Sequence, residues 1–415
     1  MTNDPTKGGV ECPFDCLELF NDGHSSNMAF SRRGLLAKIL GLGIAGAIGF
    51  EGHALATPKA ALPKVSPPDH DLNTFFHVTQ FGARGDGHHD DTQPIQDALD
   101  QAARVHGTIL IPQGTFMVRT LTIPSYVGIQ GVGMGQTVLK LIAGSRHDLL
   151  KTQAFDTLTG TNSINGVAGV TLANLTLDGN RDHNPAGWGL RRYGYRWVIE
   201  NVEIRHMATG GIYTEYGVAT KRTADGDMME DSWMDVRVHD NSGPGIINHG
   251  PHDSRVVNLL VYANQGHGLV VEYQPAQFNG AGMILTNYHA YWNTGVGLYC
   301  QGTVFGSMVE AESNAEGGIL LATPGCVLTG LLVYANGTAN NTKASGLIVG
   351  TPQTAAGDGY FSGQIQGNSQ EQVKIVQDSG NNVADLALKA WVPGSSLWSG
   401  TPNGSSAWRM NGTKI

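Results

Sequence analysis

From residue 236 onward the chain repeats one pattern of apolar and polar positions. Each repeat is an alternating stretch, an asparagine, three further residues, a glycine and a second alternating stretch, as in 236–249, 260–272 and 289–301. The asparagines, which recur at intervals of 23, 29, 21 and 22 residues, are Asn241, Asn264, Asn293, Asn314 and Asn336. Intervals in the low twenties are typical of one coil of a β-solenoid. The pattern therefore predicts an all-β fold, a right-handed parallel β-helix, with the asparagines stacked inside one turn and the glycines in tight turns.

A single amphipathic helix is predicted ahead of these repeats. A polar segment, 82–91, leads into a helix that starts at Thr92 and has Pro94 in its first turn. Its apolar face consists of Ile95, Ala98, Leu99 and Ala102. The open end of a stacked core would expose apolar side chains and unpaired strand edges. We therefore interpret this helix as an N-terminal cap.

The N-terminal segment has the pattern of an export signal. Arg32 and Arg33 precede an apolar, Gly/Ala-rich run at 39–50, and a small-residue cleavage pattern ends at Ala56. This predicts twin-arginine export and a secreted or periplasmic protein; the alternative, a membrane anchor, is disfavoured because a spanning helix needs ~20 apolar residues. The predicted organisation is an N-terminal extension with signal peptide at 1–56, a linker at 57–74, the capped β-helix at 75–356, and C-terminal coils and a tail at 357–415.

Composition and charge narrow the range of partners. The formal net charge is -9, and only 15% of the 415 residues are charged. Nucleic acids and anionic membranes select basic surfaces, so neither is an expected partner after signal cleavage. Cys300 and Cys326 would remain in an oxidising setting, where either a disulfide between them or two buried free thiols fits. The oligomeric state is left open.

The outward positions of the second alternating stretch contain the candidate chemistry. Counted from the repeat glycine, the first and third positions are mostly apolar and point inward, so the second and fourth point outward. The fourth positions of successive coils are Glu215, His249, Glu272, Gln301 and Ala322. Since stacked strands lie ~4.8 Å apart, Glu215, His249 and Glu272 are predicted to form one outer column, with the two carboxylates roughly 9–10 Å apart.

This column predicts acid/base catalysis on a polysaccharide or oligosaccharide. Two carboxyl groups about 6.5–9.5 Å apart suit an inverting glycoside hydrolase, so Glu215, Glu272 and His249 are the catalytic candidates. The alternative is a uronate lyase or C5-epimerase, in which Tyr213, His249 or His267 would move protons. Read from Gly187, Arg191 would lie in the same column beside Glu215. The substrate-binding candidates are Tyr213, His267, Arg191, Tyr299 and Gln301.

The candidate catalytic and binding residues also have purely structural interpretations. The polar column could be a solvated ladder, which would leave a non-catalytic carbohydrate-binding or adhesion solenoid, and His267 could be a turn residue. No metal site or other cofactor is predicted, although the segment 178–182 either shapes a turn or binds calcium. The tryptophans that either stack on sugar rings or pack inside the fold are Trp188, Trp197, Trp233 and Trp292.

Three motifs are similar to one known superfamily. The segments 81–92, 131–141 and 174–182 resemble the pectate-lyase-like superfamily, and within it the catalytic module of bacterial mannuronan C5-epimerases, over roughly residues 75–300. The resemblance implies a parallel β-helix and a polysaccharide substrate.

The catalytic motif of those epimerases is not retained. Their tyrosine, aspartate and histidine fall on Gly210, Tyr213 and Glu215, and a later aspartate falls on His249, whereas a histidine is kept as His267. Epimerase activity therefore does not follow from the resemblance.

The export signal leads to a first prediction. A reporter fused to residues 28–56 should be exported by the twin-arginine route, and changing Arg32 and Arg33 together to Lys should stop its export. The measurement is the amount of reporter outside the cytoplasm. Undiminished export in a strain without that translocon would contradict the assignment.

Overall fold

The computed structural model describes residues 74–161, 163–216, 229–272, 282–339 and 341–415. The predicted export signal lies outside the described residues. Two helices are present in the described part, α1 (Thr92–Ala103) and the short α2 (Phe155–Leu158), with 3-10 turns at Val78–Phe81 and Arg181–His183. No helix in these ranges is long and apolar enough to cross a membrane.

Strands account for most of the remaining structure. Up to residue 216 they are β1 (Phe75–His77), β2 (Asp86–Asp90), β3 (Thr108–Leu110), β4 (Gly114–Val118), β5 (Leu121–Ile123), β6 (Gly128–Gln130), β7 (Thr137–Leu141), β8 (Leu150–Thr152), β9 (Val167–Ala168), β10 (Thr171–Asp178), β11 (Trp188–Tyr195), β12 (Val198–Arg205) and β13 (Gly210–Glu215). From residue 232 they are β14 (Ser232–His239), β15 (Ile246–His249), β16 (Ser254–Tyr262), β17 (Leu269–Val271), β18 (Met283–Tyr291), β19 (Val296–Cys300), β20 (Val304–Glu312), β21 (Gly317–Leu321), β22 (Val327–Tyr334) and β23 (Ser345–Val349). The C-terminal strands are β24 (Ala356–Gly357), β25 (Tyr360–Gln366), β26 (Glu371–Ile375), β27 (Asp378–Gly380), β28 (Val383–Lys389), β29 (Ser396–Ser399), β30 (Ala407–Met410) and β31 (Thr413–Lys414).

The strands stack into two large parallel sheets. Each coil contributes a long strand to a 17-stranded sheet and a shorter strand to a 12-stranded sheet. In the first, β10, β12, β14, β16, β18, β20 and β22 pair in that order; in the second, β11, β13, β15, β17, β19, β21 and β23 do. This is the predicted parallel β-helix, and its coils continue beyond residue 357 through β25, β28 and β30.

The core is a continuous column of apolar side chains closed at one end by α1. The inward positions that follow the repeat glycines include Ile212, Ile246, Leu269, Leu298 and Ile319, all fully buried. The predicted apolar face of α1 is also fully buried against this core. Burial of apolar surface at ~25 cal/mol per Å² makes this column the main stabilising contribution. Cys300 and Cys326 are both buried within it as free thiols.

The asparagine ladder predicted from the repeat is confirmed. Each Nδ2 donates to the Oδ1 of the next coil, for example Asn293 to Asn314 at 2.9 Å. The backbone N–H of Asn293 donates to the same oxygen, and its Nδ2 also donates to the carbonyl of Val261. The ladder extends to Asn368, which donates to Gln372 Oε1 at 2.8 Å. All of its asparagines are fully buried, so every amide satisfies backbone groups that water cannot reach.

A second ladder, on the outside, was not predicted. The long strands bend at one left-handed residue where sheet pairing is interrupted, and these residues are Asn174, Asn201, Asp235, Asn258, Asn287, Met308 and Gly330. Asn258 Nδ2 donates to Asp235 Oδ1, and Asn287 Nδ2 to Asn258 Oδ1, both at 2.8 Å. Asn and Asp tolerate this backbone conformation better than other side chains do. The bend divides each long strand into two outer faces.

Breaking the inner ladder should destabilise the whole solenoid. Asn314→Ala leaves two buried donors of Asn293 without an acceptor, at a cost of about 1–3 kcal/mol for each unsatisfied group. We expect a clearly lower thermal midpoint. Ser307→Ala, which removes only an exposed hydroxyl contact in the same coil, is the matched control. A midpoint of Asn314→Ala equal to that of the control would contradict a structural role of the ladder.

Candidate active site

Backbone pairing in the 12-stranded sheet aligns the predicted outer column. Glu215 and His249 are register partners, and the N–H of Glu272 donates to the carbonyl of Asn248 at 2.8 Å. Gln301 and Ala322 continue the same column, because their N–H groups donate to Val271 and Cys300. Glu215, His249 and Glu272 therefore occupy equivalent places on three successive coils, as the spacing predicted.

His249 and Glu272 form a close pair. His249 Nε2 lies 3.0 Å from Glu272 Oε2, with the side chains 20% and 31% exposed. A carboxylate at Nε2 holds the proton on that nitrogen. Nδ1 of the same ring is then the nitrogen that can accept a proton from a substrate.

Glu215 is held by three donors. Its Oε2 accepts hydrogen bonds from Thr159 Oγ1 at 2.5 Å and from the Tyr213 hydroxyl at 3.2 Å, while Oε1 accepts the Gly160 N–H at 2.5 Å. These contacts fasten the segment after α2 against the sheet. Nothing in the sequence pattern linked residues 159 and 160 to this column, because they are more than 50 positions away and belong to no repeat. Glu215 stays a predicted catalytic residue, now with a positioning role as well.

Tyr213 is enclosed by aromatic rings. Its ring centroid lies 5.1 Å from that of His249, 5.5 Å from that of Trp188 and 6.0 Å from that of Phe155. Burial, followed by the neighbouring charge of Glu215, raises the pKa of Tyr213 to about 12. The hydroxyl therefore keeps its proton at neutral pH and can act as a proton donor.

The predicted register of Arg191 is wrong by two residues. Arg191 pairs with Tyr213, and the residue beside Glu215 is Tyr193. The glycine equivalent to that of the next coil is Gly189, since Leu190 pairs with Ile212, whereas Gly187 lies in the preceding turn at φ 127°. Arg191 still reaches the site: its guanidinium lies over the Phe155 and Tyr213 rings, and Nη1 is 3.5 Å from Asp148 Oδ2.

The other predicted binding residues line a groove beside the pair. A cavity of about 350 Å³ is bordered by His267, Glu272, Tyr299, Gln301 and Glu316, among others. Glu316 was not predicted. Its N–H donates to Gly295, whose N–H donates to Gly266, so it occupies a turn position that is glycine in the two preceding coils. That exchange of glycine for glutamate is the signal that could have identified it.

His267 has a fixed tautomer. Its Nδ1 accepts the Val296 N–H at 2.9 Å, which leaves the proton on Nε2. Burial lowers the pKa of His267, and Glu316 opposes this shift. Protonation would also place a second hydrogen against the Val296 N–H. His267 therefore acts as a neutral donor, and its ring lies edge-on to Tyr299.

The segment 178–182, which was predicted either to shape a turn or to bind calcium, has its Asp178 carboxylate bonded to protein groups. Asp178 Oδ1 accepts the Asn180 N–H at 2.9 Å, and Oδ2 accepts Arg205 Nε at 3.1 Å. The residues present thus fit a turn and an ion pair better than a calcium site. Among the described residues, no group of three or more His, Cys, Asp and Glu side chains is placed to hold a metal ion.

Comparison with known proteins identifies the family. The family model described as rhamnogalacturonase A/epimerase, pectate lyase-like, matches residues 75–319. The chain belongs to this family. The solved A-module of Azotobacter vinelandii mannuronan C-5 epimerase AlgE4 superimposes with a TM-score of 0.57 at 21% identity, covering 78% of this chain and 100% of the module, which confirms the fold.

Sequence relatives from Azotobacter vinelandii include enzymes of two kinds, mannuronan C5-epimerases and an alginate lyase. Mannuronan C5-epimerase AlgE2 is 32% identical over 244 residues, which cover 54% of this chain and 22% of the relative. Alginate lyase 7 is 35% identical over 154 residues, or 32% of this chain and 17% of the relative. The chain thus spans about a fifth of the length of these relatives. The resemblance to mannuronan C5-epimerase modules is confirmed.

The lowered pKa of His267 predicts a specific pH dependence of stability. Its folded-state pKa lies below the ordinary value of 6.5, so its contribution is complete above that value and is lost as the pH falls through 6.5 toward the folded-state pKa. His267→Asn keeps a possible acceptor for Val296 but does not titrate. The thermal midpoint of the parent should therefore fall more between pH 8 and pH 5.5 than that of the variant. Equal falls in both proteins would contradict the burial effect.

Proposed function

We propose that this protein is a secreted polysaccharide-active enzyme that removes the C5 proton of a uronate residue, leading to β-elimination or epimerisation. The observation that carries the proposal is the His249–Glu272 pair at 3.0 Å, with the ring of a protonated tyrosine, Tyr213, 5.1 Å from that of His249. A base and an acid on one sheet face are what these two reactions need. The names of the relatives, epimerases and a lyase, support the same class of chemistry.

Each side chain has a defined part in the proposed reaction. His249 Nδ1 takes the C5 proton, and Glu272 stabilises the imidazolium that results. In elimination the C5–H electrons form the C4=C5 double bond, the C4–O4 bond breaks, and Tyr213 gives its proton to O4. In epimerisation the C4–O4 bond is retained, the electron pair is held as the enediolate of the sugar carboxylate, and Tyr213 gives its proton to C5 on the face opposite to His249.

Arg191 and the groove complete the proposed substrate site. The charge of the sugar carboxylate must be neutralised before the C5 proton becomes acidic enough to be removed. We assign this part to Arg191, whose guanidinium lies over the Tyr213 ring. His267, Tyr299 and Gln301 line the groove next to Glu272 and suit hydroxyl groups of the adjoining sugar. The predicted substrate-binding residues thus fall on both sides of the proposed base.

Inverting hydrolysis is the second candidate. It is favoured by the common column of Glu215 and Glu272, two coils apart. Against it, both oxygens of Glu215 accept hydrogen bonds, and Glu272 is paired with His249. A general acid donates a proton to the substrate, whereas both oxygens of Glu215 already serve as acceptors within the protein.

The test is exchange at C5. The protein is incubated in D₂O with polymannuronate, polygalacturonate and a neutral glucan, and deuterium at C5 is followed by NMR together with unsaturated-uronate absorbance and reducing ends. We expect deuterium or unsaturated ends with a uronate polymer. His249→Gln and Glu272→Gln should each lose about 10²–10⁴-fold in rate, the usual contribution of a proton-transfer group. Asp385→Asn, an exposed acid on β28, is the matched control and should be fully active.

Glu215→Gln separates the two mechanisms. If Glu215 only positions Tyr213 and the Thr159 segment, the amide keeps part of those contacts and activity falls modestly. New reducing ends without unsaturation or deuterium, abolished in Glu215→Gln, would establish hydrolysis instead. No reaction with any polymer, combined with retained binding, would indicate a carbohydrate-binding solenoid.

A further inference from the structure

The outer face of β14, β16 and β18, on the 17-stranded sheet, has its own aromatic column. The rings of His239 and Tyr262 stack at 4.5 Å with 5° between their planes, and Tyr262 and Tyr291 stack at 4.6 Å and 2°. These rings are register partners on successive strands, so the sheet spacing itself sets the stacking distance. The column is a rigid platform on a face that the proposed reaction does not use.

Trp292 extends from this column at a strained corner. It has a left-handed backbone, φ 55°, and its side chain is 58% exposed. The same left-handed corner is occupied in other coils by His206, Asp240, Ala263, Ser313 and Ala335, all of which have smaller side chains than tryptophan. A bulky aromatic residue in this conformation is an outlier, and backbone strain of this kind clusters at ligand-binding sites.

The tryptophan is also held in a defined orientation. Its ring lies edge-on to Tyr291, with centroids 5.2 Å apart and planes at 76°. The other tryptophans considered for sugar stacking, Trp188, Trp197 and Trp233, are buried. Trp292 is therefore the one of those four whose faces are open to a ligand.

Hydrogen-bonding groups lie around Tyr291, the ring that Trp292 contacts. His289 Nε2 is 3.7 Å from Glu310 Oε1 and 3.7 Å from Glu312 Oε1, and the Tyr334 hydroxyl donates to Glu310 at 3.1 Å. His289 also packs on Tyr291. All of these polar residues are half-buried, and Nε2 of His289 is itself buried without a hydrogen-bond partner among the described residues.

We propose that Trp292, His289, Glu310, Glu312 and Tyr334 form a second carbohydrate-binding site, selective for a neutral glycan. An open indole face stacks on the apolar face of a pyranose ring, and carboxylates accept hydrogen bonds from sugar hydroxyls. Two carboxylates at the same place repel a uronate. Trp292 lies directly after β18, and none of the five residues lines the groove.

Binding of neutral oligosaccharides tests the proposal. Cellohexaose, mannohexaose, xylohexaose and hexamannuronate are titrated into the protein by calorimetry, with tryptophan fluorescence as a second readout. We expect at least one neutral hexaose to bind and to change the fluorescence. Trp292→Ala, which installs the residue found at the same corner of two other coils, should weaken that binding at least tenfold without lowering the thermal midpoint. Glu310→Gln is a second variant and should also weaken it.

The controls separate this site from the proposed active site. Trp391→Ala removes a tryptophan that is 51% exposed elsewhere on the surface and should bind the hexaose like the parent. His249→Gln should do the same, and C5 exchange by Trp292→Ala should be unchanged. The proposal is overturned if the parent binds no neutral hexaose, if Trp292→Ala binds as tightly as the parent, or if Trp391→Ala weakens binding equally.

Discussion

The inner asparagine ladder is the constraint on which the positions of the site residues depend. In four coils the repeat glycine follows the ladder asparagine at the fourth position, and the outward residue follows four positions later, as from Asn241 through Gly245 to His249. The same count places Glu272 after Asn264. Because each ladder amide bonds to the asparagine of the next coil, the starts of β15, β17, β19 and β21 are fixed relative to one another. In these four coils the variation in coil length is therefore absorbed outside this stretch.

The ladder ends where the proposed active site begins. In the coil before Asn241 the ladder position is Met207, whose backbone N–H donates to Asn241 Oδ1. Toward the N-terminus a buried ion pair takes the place of the amide ladder. Arg192 pairs with Asp231, and both side chains are fully buried. Asp231 also accepts a hydrogen bond from the Trp197 N–H. Removing one partner of such a pair leaves an uncompensated charge, which is far more costly than the pair itself. This pair holds the chain in place directly before β14.

The sequence was sufficient to predict the structure where one residue type recurs at a fixed place in each coil. The ladder, the inward and outward alternation and the alignment of Glu215 with His249 follow from such recurrence. The sequence was insufficient to predict the register of Arg191, because Gly187 and Gly189 are both plausible repeat glycines and only the strand pairing distinguishes them. The outer ladder had a usable signal that was overlooked: Asp235, Asn258 and Asn287 each lie six residues before a ladder asparagine. No sequence signal indicated the contact between Thr159 and Glu215, since it joins distant segments that share no repeat.

The net charge of -9 has to be reconciled with the proposed acidic substrate. Charges on an exposed surface are screened over about 8–10 Å at physiological salt, so distant carboxylates weaken the approach of a uronate polymer only modestly. The local arrangement matters more, in which the Arg191 guanidinium lies over the Tyr213 ring and His249 pairs with Glu272. Glu310 and Glu312 belong to the 17-stranded sheet and do not line the groove. The two proposed sites thus differ in their charged groups while they share one chain, because each coil contributes a strand to both sheets.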